Sequence, residues 1–150
     1  MPDERIAYSA AGHPAPHRAR VSLTALFFGL FVAPIVWAGN LMITYALATH
    51  ACYPGHDPLE QVINGFGLAW PVILVTYLLT LVLCASGFLI SLRNWRITGE
   101  ELHGHHHHLV EVGEGRTRYL SVIGMAFSVL FFTVTVAGAV ILAIVPLCIR

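Results

Sequence analysis

Charge is what this 150-residue chain has least of. Only 11% of its residues are Asp, Glu, Lys or Arg, while 57% are apolar; a water-soluble domain carries roughly a quarter charged residues. That imbalance excludes an ordinary soluble globule. Lysine is missing altogether, so the eight basic residues are all arginine, and eight carboxylates bring the formal net charge to zero. With no basic excess there is no electrostatic footprint for nucleic acid, and none is expected as a partner.

The few charges are kept out of three stretches, Val21 to Ala48, Phe66 to Leu92 and Tyr119 to Leu147, which hold no Asp, Glu, Lys, Arg or His. Each exceeds the roughly 20 helical residues that cross bilayer hydrocarbon, so each reads as a transmembrane helix. The expected architecture is an all-α membrane protein, with a tail over residues 1–20 and a single three-helix transmembrane domain over 21–150, its spans at 21–48, 66–92 and 119–147. Bare spans narrow the function. Intramembrane charge is the usual mark of a proton relay or ion path. Three helices of roughly 10 Å diameter enclose no lumen, which argues against a channel or transporter made by one copy. No histidine lies within a span, which disfavours a buried bis-histidine haem. No catalytic or cofactor-binding residue is therefore expected in this chain alone.

The arginines give an orientation. Arg5, Arg18 and Arg20 precede the first span, and Arg93, Arg96, Arg116 and Arg118 flank the second connection, 93–118, whereas Thr49 to Gly65 has none. The positive-inside rule places the N-terminus and the second connection in the cytoplasm, and the first connection and the C-terminus in the periplasm, with Arg150 the one exception. Ala46-Leu47-Ala48 has the form of a signal-peptide cleavage site, but the apolar run of about 28 residues far exceeds the 7 to 15 of a signal core. The first span is accordingly expected to stay. Thr49-His50-Ala51, ahead of Cys52, lacks the aliphatic residue a lipoprotein site would want.

Inside the spans, small residues recur at four-residue spacing. Ala25, Gly29 and Ala33 form one such row and Thr76, Thr80 and Cys84 another, and the third span carries Ser121, Gly124 and Ser128, then Ala139 and Ala143. This spacing lets a second helix backbone approach closely. Two such rows are not expected to be buried entirely among three helices, so at least one is expected to meet a helix of another chain. Pro34 removes the hydrogen bond to the carbonyl of Leu30 and predicts a kink in the first span; Pro71 falls in the first turns of the second, where it is tolerated. Asn40 is the deepest strongly polar residue, and its amide is expected to bond across to a neighbouring helix, because an unpaired amide in hydrocarbon costs several kcal/mol. A ligand or water-path role is the alternative.

Three groups carry potential chemistry. Cys52 and Cys148 each emerge just beyond a span on the outer side, where disulfides form and persist, and are expected to pair while Cys84 stays reduced within the second span. Two free thiols, or a metal pair with His50 or His56, are the alternatives. The outer connection, His50-Ala51-Cys52-Tyr53-Pro54-Gly55-His56-Asp57-Pro58, could in principle ligate copper or zinc, but thiolate ligation and the disulfide exclude each other and two histidines do not make a defined site. The second connection contains His103, His105, His106, His107 and His108 between Glu100-Glu101 and Glu111 with Glu114. Neutral imidazoles at adjustable spacing bind nickel, copper or zinc, so these five are candidate metal ligands; a solvated loop is the plainer reading.

Arg93-Asn94-Trp95-Arg96, then Gly113-Glu114-Gly115-Arg116-Thr117-Arg118-Tyr119-Leu120 opening the last span, with Trp37, Tyr45, Cys52 and a closing Cys148, resemble a family of small three-span bacterial membrane proteins encoded near the subunits of haem-copper cytochrome c oxidases. The likeness covers most of the chain beyond residue 25, and its motifs are structural rather than catalytic. The histidine run, and Tyr119 where phenylalanine is more usual, depart from it. The resemblance implies an accessory, non-catalytic inner-membrane subunit whose partners are the larger membrane subunits of a respiratory oxidase. Haem and copper are then expected only in those subunits. An assembly factor handling copper or another metal through the histidine loop is the alternative. Physically, Arg116 and Arg118 suit the anionic headgroup level, each adding about 1 kcal/mol of attraction to phospholipid, Trp95 and Tyr119 suit the same interface, and Arg93 and Arg96 are expected to anchor there with them.

Overall fold

The computed structural model describes residues 21–53, 55, 67–98, 116–145 and 148. They form three helices, α1 (Leu23–Cys52), α2 (Ala69–Ile97) and α3 (Arg116–Ile144), and each packs on both others. At 1.5 Å per residue each is about 44 Å long, and all three are long and apolar enough to cross a membrane. The chain runs up, down and up, which gathers Cys52, Ala69 and Cys148 into a buried cluster with Ala51 at one end.

The helices are offset from the apolar runs at both kinds of end. α1 continues a turn past Ala48 because Thr49 folds its hydroxyl back onto the carbonyls of Tyr45 and Ala46, at 2.8 and 3.0 Å, and its own carbonyl accepts the Tyr53 amide at 2.8 Å. α2 starts three residues later than the run and carries Arg93, Trp95 and Arg96 in its final turns. Cations there complement the negative end of the helix dipole, and the Thr98 hydroxyl donates to the Asn94 carbonyl at 3.0 Å. α3 stops at Ile144. Pro146 follows two residues on, has no amide to donate, and biases Val145 away from helical geometry. α1 runs unbroken through Pro34, helical on both sides of it.

Size, rather than polarity, separates inside from outside. The buried side of α2 is Ala69, Ile73, Tyr77, Thr80, Cys84, Gly87, Ser91 and Asn94. From Ile73 onward its steps alternate four and three, the 3.5-residue period of helices that supercoil left-handedly. α3 buries Ser121, Gly124, Ser128 and Thr135 in the same rhythm. Large apolar side chains, among them Phe27, Phe31, Met42, Leu79, Val82, Leu130 and Ile141, point outward. In water this would be an exposed apolar patch of a size soluble monomers avoid. In hydrocarbon it is the ordinary surface, because lipid tails are as apolar as leucine and packing decides what goes inside. The chain thus has the build of a multi-pass membrane protein.

Candidate functional site

The tightest part of the bundle is a junction where all three helices meet through small residues. A Cβ placed on Gly29 of α1 would collide with Ser91 Oγ of α2. One placed on Gly124 of α3 would lie 2.6 Å from the same oxygen, 2.9 Å from the Gly29 carbonyl oxygen and 3.2 Å from its carbon. Gly87 of α2 completes the set, its Cβ position 2.6 Å from Val32 Cγ1 and 3.1 Å from Ser128 Oγ. Glycine at these points is what allows the backbones to approach.

The small-residue rows are therefore used within the chain. Gly29 and Ala33 are buried and Ala25 is half-buried; Thr80 and Cys84 are buried and Thr76 is half-buried. This corrects the expectation that at least one row would be left for a foreign helix. In a three-helix bundle each helix faces two neighbours, so a row pointing at the common axis is consumed by both at once. Only the Ala139 and Ala143 pair tends outward, Ala139 half-buried and Ala143 exposed.

Above the junction the interior becomes polar. Gly29 beside Gly124, the Trp37 ring 5.1 Å from Phe131, and Cys52 paired with Cys148 hold α1 and α3 in one register. Ser91 beside Gly124, Gly87 beside Ser128 and Tyr77 beside Gly138 do the same for α2 and α3. Those registers bring Asn40, Thr80 and Thr135 to one level, 4%, 4% and 1% exposed. The expected bond from the Asn40 amide to a neighbour is not made by its oxygen: Asn40 Oδ1 is buried without a hydrogen-bond partner in the chain, as is Thr44 Oγ1 one turn on. The reason is local. The Thr80 hydroxyl donates to the Thr76 carbonyl at 2.8 Å and that of Thr135 to the Phe131 carbonyl at 2.6 Å, so both hydroxyl protons serve their own helices.

The two ends differ. At one, Cys52 and Cys148 stand at disulfide distance, with Cα atoms 5.3 Å apart, within the range a disulfide spans. Cys84 is a free, buried thiol in the middle of α2. The pairing removes Cys52 as a thiolate ligand, and His50 is exposed in the last turn of α1. At the other end Arg93 and Arg96 are exposed on α2, and the Arg118 guanidinium of α3 lies 5.5 Å from the centre of the Trp95 ring. A cation in the first turn of a helix opposes its dipole; the contact with the indole face offsets that cost by about 0.5–1 kcal/mol. Tyr119 is exposed beside it. Arg116 opens α3, its side chain lying outside the described residues, as do His56, all eight carboxylates and the candidate ligands His103, His105, His106, His107 and His108.

Sequence reasoning passed over Gly87, Ser91, Thr44 and Thr135, and took Asn94 only as part of the Arg93–Arg96 motif. A signal was there, since Cys84, Gly87, Ser91 and Asn94 extend the Thr76, Thr80, Cys84 row with alternating steps of three and four. A strict four-residue search drifts off that seam. Comparison with protein families, with curated proteins and with solved structures finds no match to this chain.

Proposed function

We propose that this chain is an accessory, non-catalytic subunit of a respiratory complex in the bacterial inner membrane, a haem-copper terminal oxidase, which it stabilises or helps to assemble. The observation that supports this reading is the division of labour between inside and outside. Gly29, Ser91 and Gly124 close the interior upon itself, so what the bundle offers other molecules within the membrane is its outer face of large apolar side chains, including the stacked Phe27 and Phe31 rings with centroids 5.9 Å apart. A preformed stave of this kind suits the flank of a larger membrane subunit. In the proposed orientation the arginine-bearing end is cytoplasmic and the disulfide end periplasmic. Two independent arguments favour that choice, the positive-inside rule and the need of a persistent disulfide for an oxidising compartment.

The test is purification of the tagged chain in mild detergent from membranes of its host. A subunit stays stoichiometric with haem-containing chains through gel filtration. Appearance only in precursor fractions lacking mature haem or copper points instead to an assembly factor, and a chain that runs alone in every gentle detergent refutes the subunit reading.

A further inference from the structure

We propose that the bundle binds one resident water molecule at the level of Asn40, held by Asn40 Oδ1 and Thr44 Oγ1 and enclosed by the three helices. Both oxygens are buried without a partner in the chain. They belong to residues four apart on α1, so they share one helix face and lie one turn from each other. The Thr80 and Thr135 hydroxyls at the level of Asn40 donate to the Thr76 and Phe131 carbonyls. What remains is an amide oxygen that lacks a donor and, one turn on, a hydroxyl that lacks any partner. Water can donate to the Asn40 oxygen and either accept from or donate to the Thr44 hydroxyl, and the cost of immobilising it is less than that of leaving both groups unpaired in an apolar interior.

Two features separate this reading from its alternatives. The layer is closed towards the arginine end by the Gly29, Ser91 and Gly124 junction, where not even a methyl fits. Towards the other end it is closed by Ile73, which has no exposed surface, and by the cluster of Ala51, Cys52, Ala69 and Cys148. A closed layer holds a resident water rather than a link in a file crossing the bundle. The described residues also contain no carboxylate, so a sodium ion held by the same oxygens would sit with its charge uncompensated in low dielectric. The chemistry therefore favours a neutral ligand. This inference is independent of the oxidase reading.

The experiment is water-edited solid-state NMR on the isotopically labelled full chain in phospholipid bilayers. Magnetisation from water protons should reach the Asn40 side-chain amide and the Thr44 side chain at mixing times that leave Ile73 and Cys84 dark. In Thr44→Val, which keeps the shape and removes the hydroxyl, transfer to Asn40 should fall at least twofold while the Cys52–Cys148 pair stays oxidised. Transfer to Asn40 no stronger than to Ile73 in the unaltered protein would overturn the proposal, a comparison that needs no variant. So would transfer undiminished in Thr44→Val. A signal that vanishes when sodium is replaced by choline would identify the occupant as a hydrated cation and overturn it equally.

Discussion

Gly124→Ala is the substitution whose outcome most directly tests the packing described above. The added methyl meets Ser91 Oγ at 2.6 Å, the Gly29 carbonyl oxygen at 2.9 Å and the Gly29 carbonyl carbon at 3.2 Å. The serine oxygen can rotate away. The Gly29 carbonyl belongs to helix backbone and cannot, so restoring ordinary contact requires α1 and α3 to separate by about 0.5 Å at this level. Overpacking on that scale costs about 1–3 kcal/mol. Against it stands the restriction alanine imposes on the unfolded chain, a gain of about 0.4–1 kcal/mol. The net expectation is destabilisation by about 1–2 kcal/mol. Gly39 supplies the control, because a Cβ there has nothing within 4 Å, and Gly39→Ala should be neutral or stabilising by less than about 1 kcal/mol. Gly29→Ala should fall between the two, since its Cβ conflicts with one rotatable side-chain oxygen and its next contacts lie at 3.6 Å. Reversible unfolding of the three variants in mixed detergent micelles gives the ranking. If Gly124→Ala proves as stable as Gly39→Ala, the close approach of α1 to α3 is wrong.

Four further expectations are open to simpler measurements. A reporter active only outside the cytoplasm, fused after Arg150, should be active; signal from a cytoplasm-only reporter at that position would invert the proposed orientation. Reducing the Cys52–Cys148 pair, 96 residues apart, should lower stability by clearly less than the about 4.7 kcal/mol of a free 100-residue loop, because the membrane already restrains the unfolded helices. Cys84 should stay unlabelled by a water-soluble maleimide throughout, and labelling of Cys84 before reduction would contradict its burial. Replacing His105 to His108 with serine should leave complex assembly and metal content unchanged; a loss of metal from the complex would shift the proposal to the assembly-factor alternative.

Helix number was legible because the bilayer sets a length that charge must avoid, and three such lengths are written plainly. Helix ends were less so. α2 runs on through Arg93 and Arg96, and α3 begins at Arg116, because a transmembrane helix does not stop where hydrocarbon does; its polar turns are stabilised by headgroups, dipole and the Arg118 contact with Trp95. The inward faces were harder still. Both sides of every span are apolar, so the contrast that marks a helix's buried side in a soluble protein is missing. Gly29, Ala33, Thr80 and Cys84 stood out as small, but smallness announces a close neighbour without saying whose.

The sequence by itself determined that this chain has three segments long and apolar enough to cross a membrane, which end carries the arginines, and that two cysteines end up on one side of the bilayer, because each follows from length, charge and the parity of crossings. Only the tertiary structure decided that the small rows serve the chain's own bundle and that Asn40, Thr80 and Thr135 share a level. Those facts depend on the vertical offsets between helices. Offsets are fixed by where glycines permit contact and where Cys52 meets Cys148, and hydropathy along one helix carries no information about its height against another.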